Sequence, residues 1–263
     1  MYDFAYQKPA SVADAVKLLA DPEAKPLAGG MTLIPVLKQR LNKPNSVVDL
    51  AKLGLTGITV SGGTVTIGAM TTHAAVAASA EVKRAIPALA ALAGVIGDPA
   101  VRYRGTIGGS LANNDPTADY PAAALALGAT IKTNKRSIDA DSYFQGMFAT
   151  ALEPGEIITA VEFPIPQKAG YEKFRNPASR YAMVGVFVAN GPKGVRVTVT
   201  GAGQNGVFRH AGFEQALAKS WSAASLDGVK TPADGMNSDI HGSAEYRAHL
   251  VGVIARRALA AAG

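Results

Sequence analysis

Apolar residues recur along this chain with two different periods, and the change between them outlines its parts. Val12, Ala15, Val16 and Leu19 share one helical face, and Ser11 with Asp14 resembles a capping box, so a helix is predicted over Ser11 to Ala20. Pro26 to Gly30 reads as a loop, followed by a helix over Leu33 to Leu41 with Pro35 in its first turn, where a missing N–H costs little. Val47 to Leu50 is a short strand. Ile58 to Val60 and Val65 to Ile67 flank Ser61-Gly-Gly-Thr64, a hairpin signal, and Thr71 and Thr72 stand where they cap the next helix. A further long helix is predicted over Glu81 to Ala93.

From Ile157 to Phe163 the residues alternate, ending in Pro164-Ile-Pro166. Tyr171 to Arg175, Ala182 to Ala189 and Val195 to Thr200 then read as an antiparallel meander. Helices over Gly212 to Lys219 and Ser243 to Ala262 close the chain, the last with Tyr246, Leu250, Val253, Ile254 and Ala261 on one face. Strands and helices mix without the steady alternation of a parallel sheet, so the expected class is α+β. The texture changes near Pro164 to Gly170, where a domain boundary is expected.

Composition narrows the chemistry. The chain has 263 residues, 48% hydrophobic and 17% charged, enough for a sizeable core. It has no cysteine, which excludes disulfides, thiolate metal sites, cysteine nucleophiles and any cysteine-ligated iron–sulfur cluster on this polypeptide. Lys plus Arg is 26 against 20 for Asp plus Glu, a net charge of +6. The basic residues are scattered, so nucleic acid is not an expected partner. The longest apolar run, Ile86 to Gly97, is shorter than the ~20 residues a bilayer requires. No basic head with an apolar run opens the sequence, and the expected location is cytoplasmic.

Two glycine pairs carry the candidate chemistry. The first lies in Leu27-Ala-Gly-Gly-Met-Thr-Leu-Ile34, the second in Arg104-Gly-Thr-Ile-Gly-Gly-Ser110. Glycine pairs let backbone N–H groups approach an anion, and Thr32, Thr106 and Ser110 add hydroxyl donors. Two such loops could clamp a diphosphate, each charged hydrogen bond contributing on the order of 1.5–3 kcal/mol. Taken singly, each pair is equally consistent with a tight turn, and neither matches the usual dinucleotide or P-loop spacing. Asp115 and Asp119 suit a turn cap or a ribose hydroxyl better than a metal, because no His or third carboxylate stands at ligand spacing. The four histidines, His73, His210, His241 and His249, are dispersed and fit surface or structural roles. No catalytic residue and no metal site is expected.

The two loops in this order resemble those of the FAD-binding medium subunits of molybdenum hydroxylases, the family of xanthine dehydrogenase and aerobic carbon monoxide dehydrogenase. Ala28 to Pro35 is similar to that family's first diphosphate loop. Val101 to Ser110 with Asp115 to Pro121 is similar to its second, and Ile67-Gly-Ala-Met-Thr-Thr72 to its threonine turn. Glu156 to Ile158 and Tyr171 to Lys173 fall where it contacts flavin. Ser243 to Leu250 resembles the closing helix of the carbon monoxide dehydrogenase branch. Tyr103, where many relatives carry Asn, and Met31, in place of a polar residue, depart from the pattern.

The resemblance implies a vanillyl-alcohol-oxidase-like fold: two small α+β subdomains over 1–55 and 56–167 gripping FAD, then an antiparallel sheet with helices over 168–263. Ala28, Gly29, Gly30, Met31, Thr32 and Leu33 would hold the diphosphate from one side, and Thr106, Gly109 and Ser110 from the other. Asp119 would accept a ribose or ribityl hydroxyl, Ile158 would lie against the cofactor, and Lys173 would sit near the flavin's polar edge. Thr72, Ile96, Gly97 and Asn113 complete the implied set. A flavin can link a one-electron carrier to a two-electron acceptor. The implied partners are therefore a small iron–sulfur subunit and a large molybdenum-cofactor subunit, in a heterotrimer or its dimer. The alternative is a self-contained FAD-dependent oxidoreductase acting on a small substrate, or, more simply, a phosphate-binding module.

Overall fold

The computed structural model describes residues 1–263. The chain opens with β1 (Ala5–Gln7), α1 (Val12–Leu18), β2 (Ala24–Leu27), α2 (Leu33–Lys38) and β3 (Ser46–Asp49). Ser11 caps α1 by accepting the Asp14 N–H, as the spacing predicts. The three strands form a parallel sheet in the order β1-β3-β2. The α+β class holds, and of these strands only the third, expected over Val47 to Leu50, was marked in the sequence. The strands are only three or four residues long, and β2 carries Pro26 on an edge, so no alternation signals them.

A second sheet follows. Strands β4 (Ile58–Ser61) and β5 (Thr64–Gly68) form the expected hairpin, with Gly62 and Gly63 at φ +57° and +76°. Next come helices α3 (His73–Ala78), α4 (Ala80–Ala85), α5 (Pro87–Gly94), α6 (Pro99–Arg104), α7 (Ile107–Asn113) and α8 (Tyr120–Leu127). The helix expected over Glu81 to Ala93 is two helices, because Pro87 cannot donate its N–H and instead starts α5. Beyond α8 lie β6 (Thr130–Thr133), β7 (Ser137–Asp139), α9 (Ala140–Tyr143), the β8 (Phe144–Gly146) and β9 (Ala149–Thr150) ribbon, and β10 (Ile158–Pro164). The antiparallel order is β4-β5-β10-β6-β7, with the alternating segment at its centre.

The expected meander is β11 (Lys168–Arg175), β12 (Ala182–Gly191) and β13 (Gly194–Thr200), extended by β14 (Phe208–Arg209). Helices α10 (Ala211–Lys219) and α11 (Ala244–Ala262) follow. This third sheet is covered on both faces. Val184, Val186 and Val188 join the core under α10 and α11, while Phe187 and Ala189 join the core of the preceding helices. That double burial is why β12 reads as a continuous apolar run. Gly170 lets α11 approach closely: a Cβ there would lie 2.0 Å from the Ala258 carbonyl oxygen. On the other face Arg196, Thr198 and Thr200, alternate residues of β13, donate to the Leu125, Ala122 and Ala118 carbonyls. These bonds fasten the segment leading into α8, and α8 itself, to the third sheet.

Candidate functional site

The segment between β2 and α2 faces the N-terminus of α7 across a cleft of about 630 Å³. The glycines explain how closely the two sides meet. A Cβ on Gly29 would lie 1.9 Å from the Arg104 carbonyl oxygen, so only glycine lets the loops touch. Gly30 has φ +74°, a conformation that side chains disfavour. On the opposite side, Gly108 abuts Ala69, whereas a Cβ on Gly109 would meet only Thr106 Oγ1 at 3.0 Å and Ala28 Cβ at 3.4 Å. All four glycines line the cleft, and of them only Gly109 has no neighbour closer than 3.0 Å to where a Cβ would stand.

The chemistry of the first loop lies in its backbone. None of the six N–H groups of residues 28–33 finds an acceptor within the chain, in backbone or side chain. Such a run of free donors at a turn entering a helix suits an anion. The second loop is already spoken for: Thr106 Oγ1 caps α7 by accepting the Gly109 N–H, and the Thr106 carbonyl accepts the Ser110 N–H. Its contribution is instead made by side chains, Ser110 and Asn113, which have no partner in the chain and line the cleft.

Of the residues singled out from the sequence, Ala28 to Leu33, Ile96, Thr106, Gly109, Ser110, Asn113, Asp119 and Ile158 all border this cleft. Thr72, Gly97 and Lys173 do not. Thr72 caps α3 and bridges to Thr106. Gly97, at φ +49°, packs against Val101 in a turn that Arg102 secures by donating to the Ile96 and Gly97 carbonyls. Lys173 lies behind Asp119, its Nζ 2.9 Å from Oδ1. Asp115 caps its own turn by accepting from Thr117.

Glu156, in the segment expected to contact flavin, also lines the cleft, as do His73, expected in a surface or structural role, and Tyr181, which no sequence signal marked. Glu156 stands beside the expected Ile158, and its buried carboxylate accepts from Arg136, Thr133 and the Glu153 N–H, which hold its pKa down to about 2 against the cost of burial. His73 sits under Gly105 with Nδ1 unpartnered, and burial pushes its pKa down to about 4, so it is neutral at pH 7. Between its unfolded value of 6.5 and about 4, the unfolded chain holds the extra proton, so stability falls as the solution is acidified through that window. The loss expected from this residue is about 3 kcal/mol. Denaturant unfolding at several pH values should show a slope that His73→Gln flattens; identical slopes would refute the assignment.

A run of free donors facing hydroxyl and amide side chains across a cleft fits a dinucleotide cofactor joined by a diphosphate. Residues 2–166 match the family described as the FAD binding domain in molybdopterin dehydrogenase. The chain belongs to that family, in which it is an FAD-binding medium-subunit-type oxidoreductase subunit. It is 37% identical to the carbon monoxide dehydrogenase medium chain of Afipia carboxidovorans, over 97% of this chain and 95% of that one. Identity to the nicotine 6-hydroxylase medium subunit of Paenarthrobacter nicotinovorans is 38%, over 98% and 96%. The solved structure of reconstituted CO dehydrogenase from Oligotropha carboxidovorans superposes with a TM-score of 0.92 at 36% identity, covering 99% of this chain and 98% of that one. No helix is long and apolar enough to cross a membrane.

Proposed function

We propose that this chain is the electron-transfer subunit of a molybdenum hydroxylase, taking electrons from a partner's iron–sulfur clusters and passing them to a terminal acceptor. The observation that carries this is the cleft, with six free backbone donors on one wall, in a chain that has no cysteine to ligate a cluster of its own. FAD bound in the cleft supplies the exchange between one- and two-electron carriers. The N–H groups of residues 28–33 hold the diphosphate, with Ser110 and Asn113 donating from the other wall. Asp119 accepts from a cofactor hydroxyl, and Ile158 and Ile96 exclude water with apolar surface. Lys173 acts from behind Asp119.

The partners under this reading are a small iron–sulfur subunit and a large molybdenum-cofactor subunit, in a heterotrimer or a dimer of heterotrimers in the cytoplasm. Relatives named as medium chains support it. We also propose that the three sheets mark units over 1–55, 56–167 and 168–263. Reconstitution tests the electron path. Anaerobic mixing of substrate with the FAD-loaded chain should leave the flavin oxidised, and bleaching should appear only when both partner subunits are added. Rapid bleaching with this chain alone would establish a self-contained flavoenzyme instead.

A further inference from the structure

Asp119 borders the cleft, yet the groups that hold its carboxylate come from the third sheet. Tyr171 Oη donates to Oδ1 at 2.5 Å, and Lys173 Nζ lies 2.9 Å from Oδ1 and 3.1 Å from Oδ2. The two donors are two residues apart on β11 and so share a face. Lys173 supplies the compensating charge, and it alone touches both oxygens. The hydroxyl of Tyr171 is a separate device.

Two observations show that the fold makes room for that hydroxyl. Tyr171 is buried in an apolar core with Phe187 as its register partner, their ring centroids 5.9 Å apart. A phenylalanine would occupy that space without a polar atom to satisfy. On β12, opposite Lys173, stands Gly185; a Cβ there would lie 2.7 Å from Tyr171 Oη and 2.9 Å from Thr200 Cγ2. Glycine in the middle of a buried strand is costly, and here it leaves space for the phenol tip. The phenol does not border the cleft; Asp119 does.

We infer that Tyr171 is a positioning residue for the cofactor: its hydroxyl fixes the Asp119 carboxylate so that the remaining lone pairs meet a sugar-type hydroxyl of FAD. This rests on the FAD reading above. A carboxylate has about four acceptor sites, so the contacts from Tyr171 and Lys173 leave capacity for a cofactor hydroxyl. Without Tyr171 the carboxylate is held by the lysine alone and turns about it.

The test is a double-mutant cycle on the full chain, reading FAD affinity by flavin fluorescence. Tyr171→Phe should weaken binding about 10-fold, and Asp119→Asn by at least as much. In the Asp119→Asn background, Tyr171→Phe should cost no more than about a further 2-fold, because its effect acts through that carboxylate. Gly185→Ala keeps the phenol but removes its room, and should weaken FAD by a factor like that of Tyr171→Phe. ADP, which carries only the ribose, locates the hydroxyl: parallel weakening of ADP places it on the ribose, and unchanged ADP binding on the ribityl chain, either supporting the role. FAD bound by Tyr171→Phe at wild-type affinity would overturn the inference, as would a full Tyr171→Phe effect in the Asp119→Asn background. A wild-type chain that takes up no FAD would overturn the FAD reading itself.

Discussion

Gly29→Val is expected to lose both FAD and stability, whereas Gly109→Val is expected to lose FAD alone. The difference follows from what each side chain would meet. At Gly29 a Cβ would lie 1.9 Å from a backbone oxygen of the facing loop and 2.8 Å from the Gly105 Cα. Backbone cannot rotate aside as a side chain can, so the two loops must separate. Overpacking of this kind costs roughly 1–3 kcal/mol or more, which for a chain of this size is a melting-temperature drop of about 2–12 °C. At Gly109 the contacts of a Cβ are 3.0 Å to Thr106 Oγ1 and 3.4 Å to Ala28 Cβ, which small shifts relieve. The valine methyl groups nevertheless occupy the gap facing the free donors of residues 28–33. FAD affinity should fall by at least ~100-fold, equivalent to 2.7 kcal/mol, while the melting temperature stays within about 3 °C of wild type. Calorimetry and FAD titration of the two variants decide it. Equal melting points would show that the loops do not depend on the Gly29 contact. Undiminished affinity in Gly109→Val would remove the diphosphate from this position.

Lys173→Met should be strongly destabilising before any effect on the flavin is measured. The lysine side chain is 1% exposed and its partner Asp119 4% exposed. Burial pushes the Asp119 carboxyl up, and the charge of Lys173 and the bonds from Tyr171 and Lys173 oppose it. Removing one member of such a pair typically costs about 3–5 kcal/mol because it strands the other's charge. With about 2–4 °C per kcal/mol for a chain of this size, the melting temperature should fall by roughly 10 °C. The double variant Lys173→Met/Asp119→Asn removes both charges and should recover more than half of that loss. Urea unfolding of wild type, both single variants and the double variant checks the stability part. A Lys173→Met chain melting within 2 °C of wild type would show that the pair carries no net weight.

The capping residues, the hairpin and the meander were legible because each is local. Ser11 and Thr72 accept an N–H three residues on, and Gly62-Gly63 completes a turn within its own hairpin. The two glycine loops were legible as turns, but their residue types left an anion site and a plain tight turn equally open. Other features were hidden by short or ambiguous local signals. The parallel sheet rests on strands too short to show a period, and Pro87 divides the helix expected over Glu81 to Ala93 into two.

Only the tertiary structure shows why Gly29 must be glycine, since the atom that excludes a side chain belongs to Arg104, far along the chain. It alone moves Lys173 from the cleft to the back of Asp119, and gives Tyr171 its partner 52 residues away. It also turns His73 from one of four scattered histidines into a neutral, buried wall of the site. The sequence by itself determined the local turns and caps, the kind of ligand they suit and, through the absence of cysteine, the need for a partner to carry any thiolate-bound cluster. Folding decided which groups are buried together, because desolvation and charge pairing depend on distances that no spacing along the chain specifies.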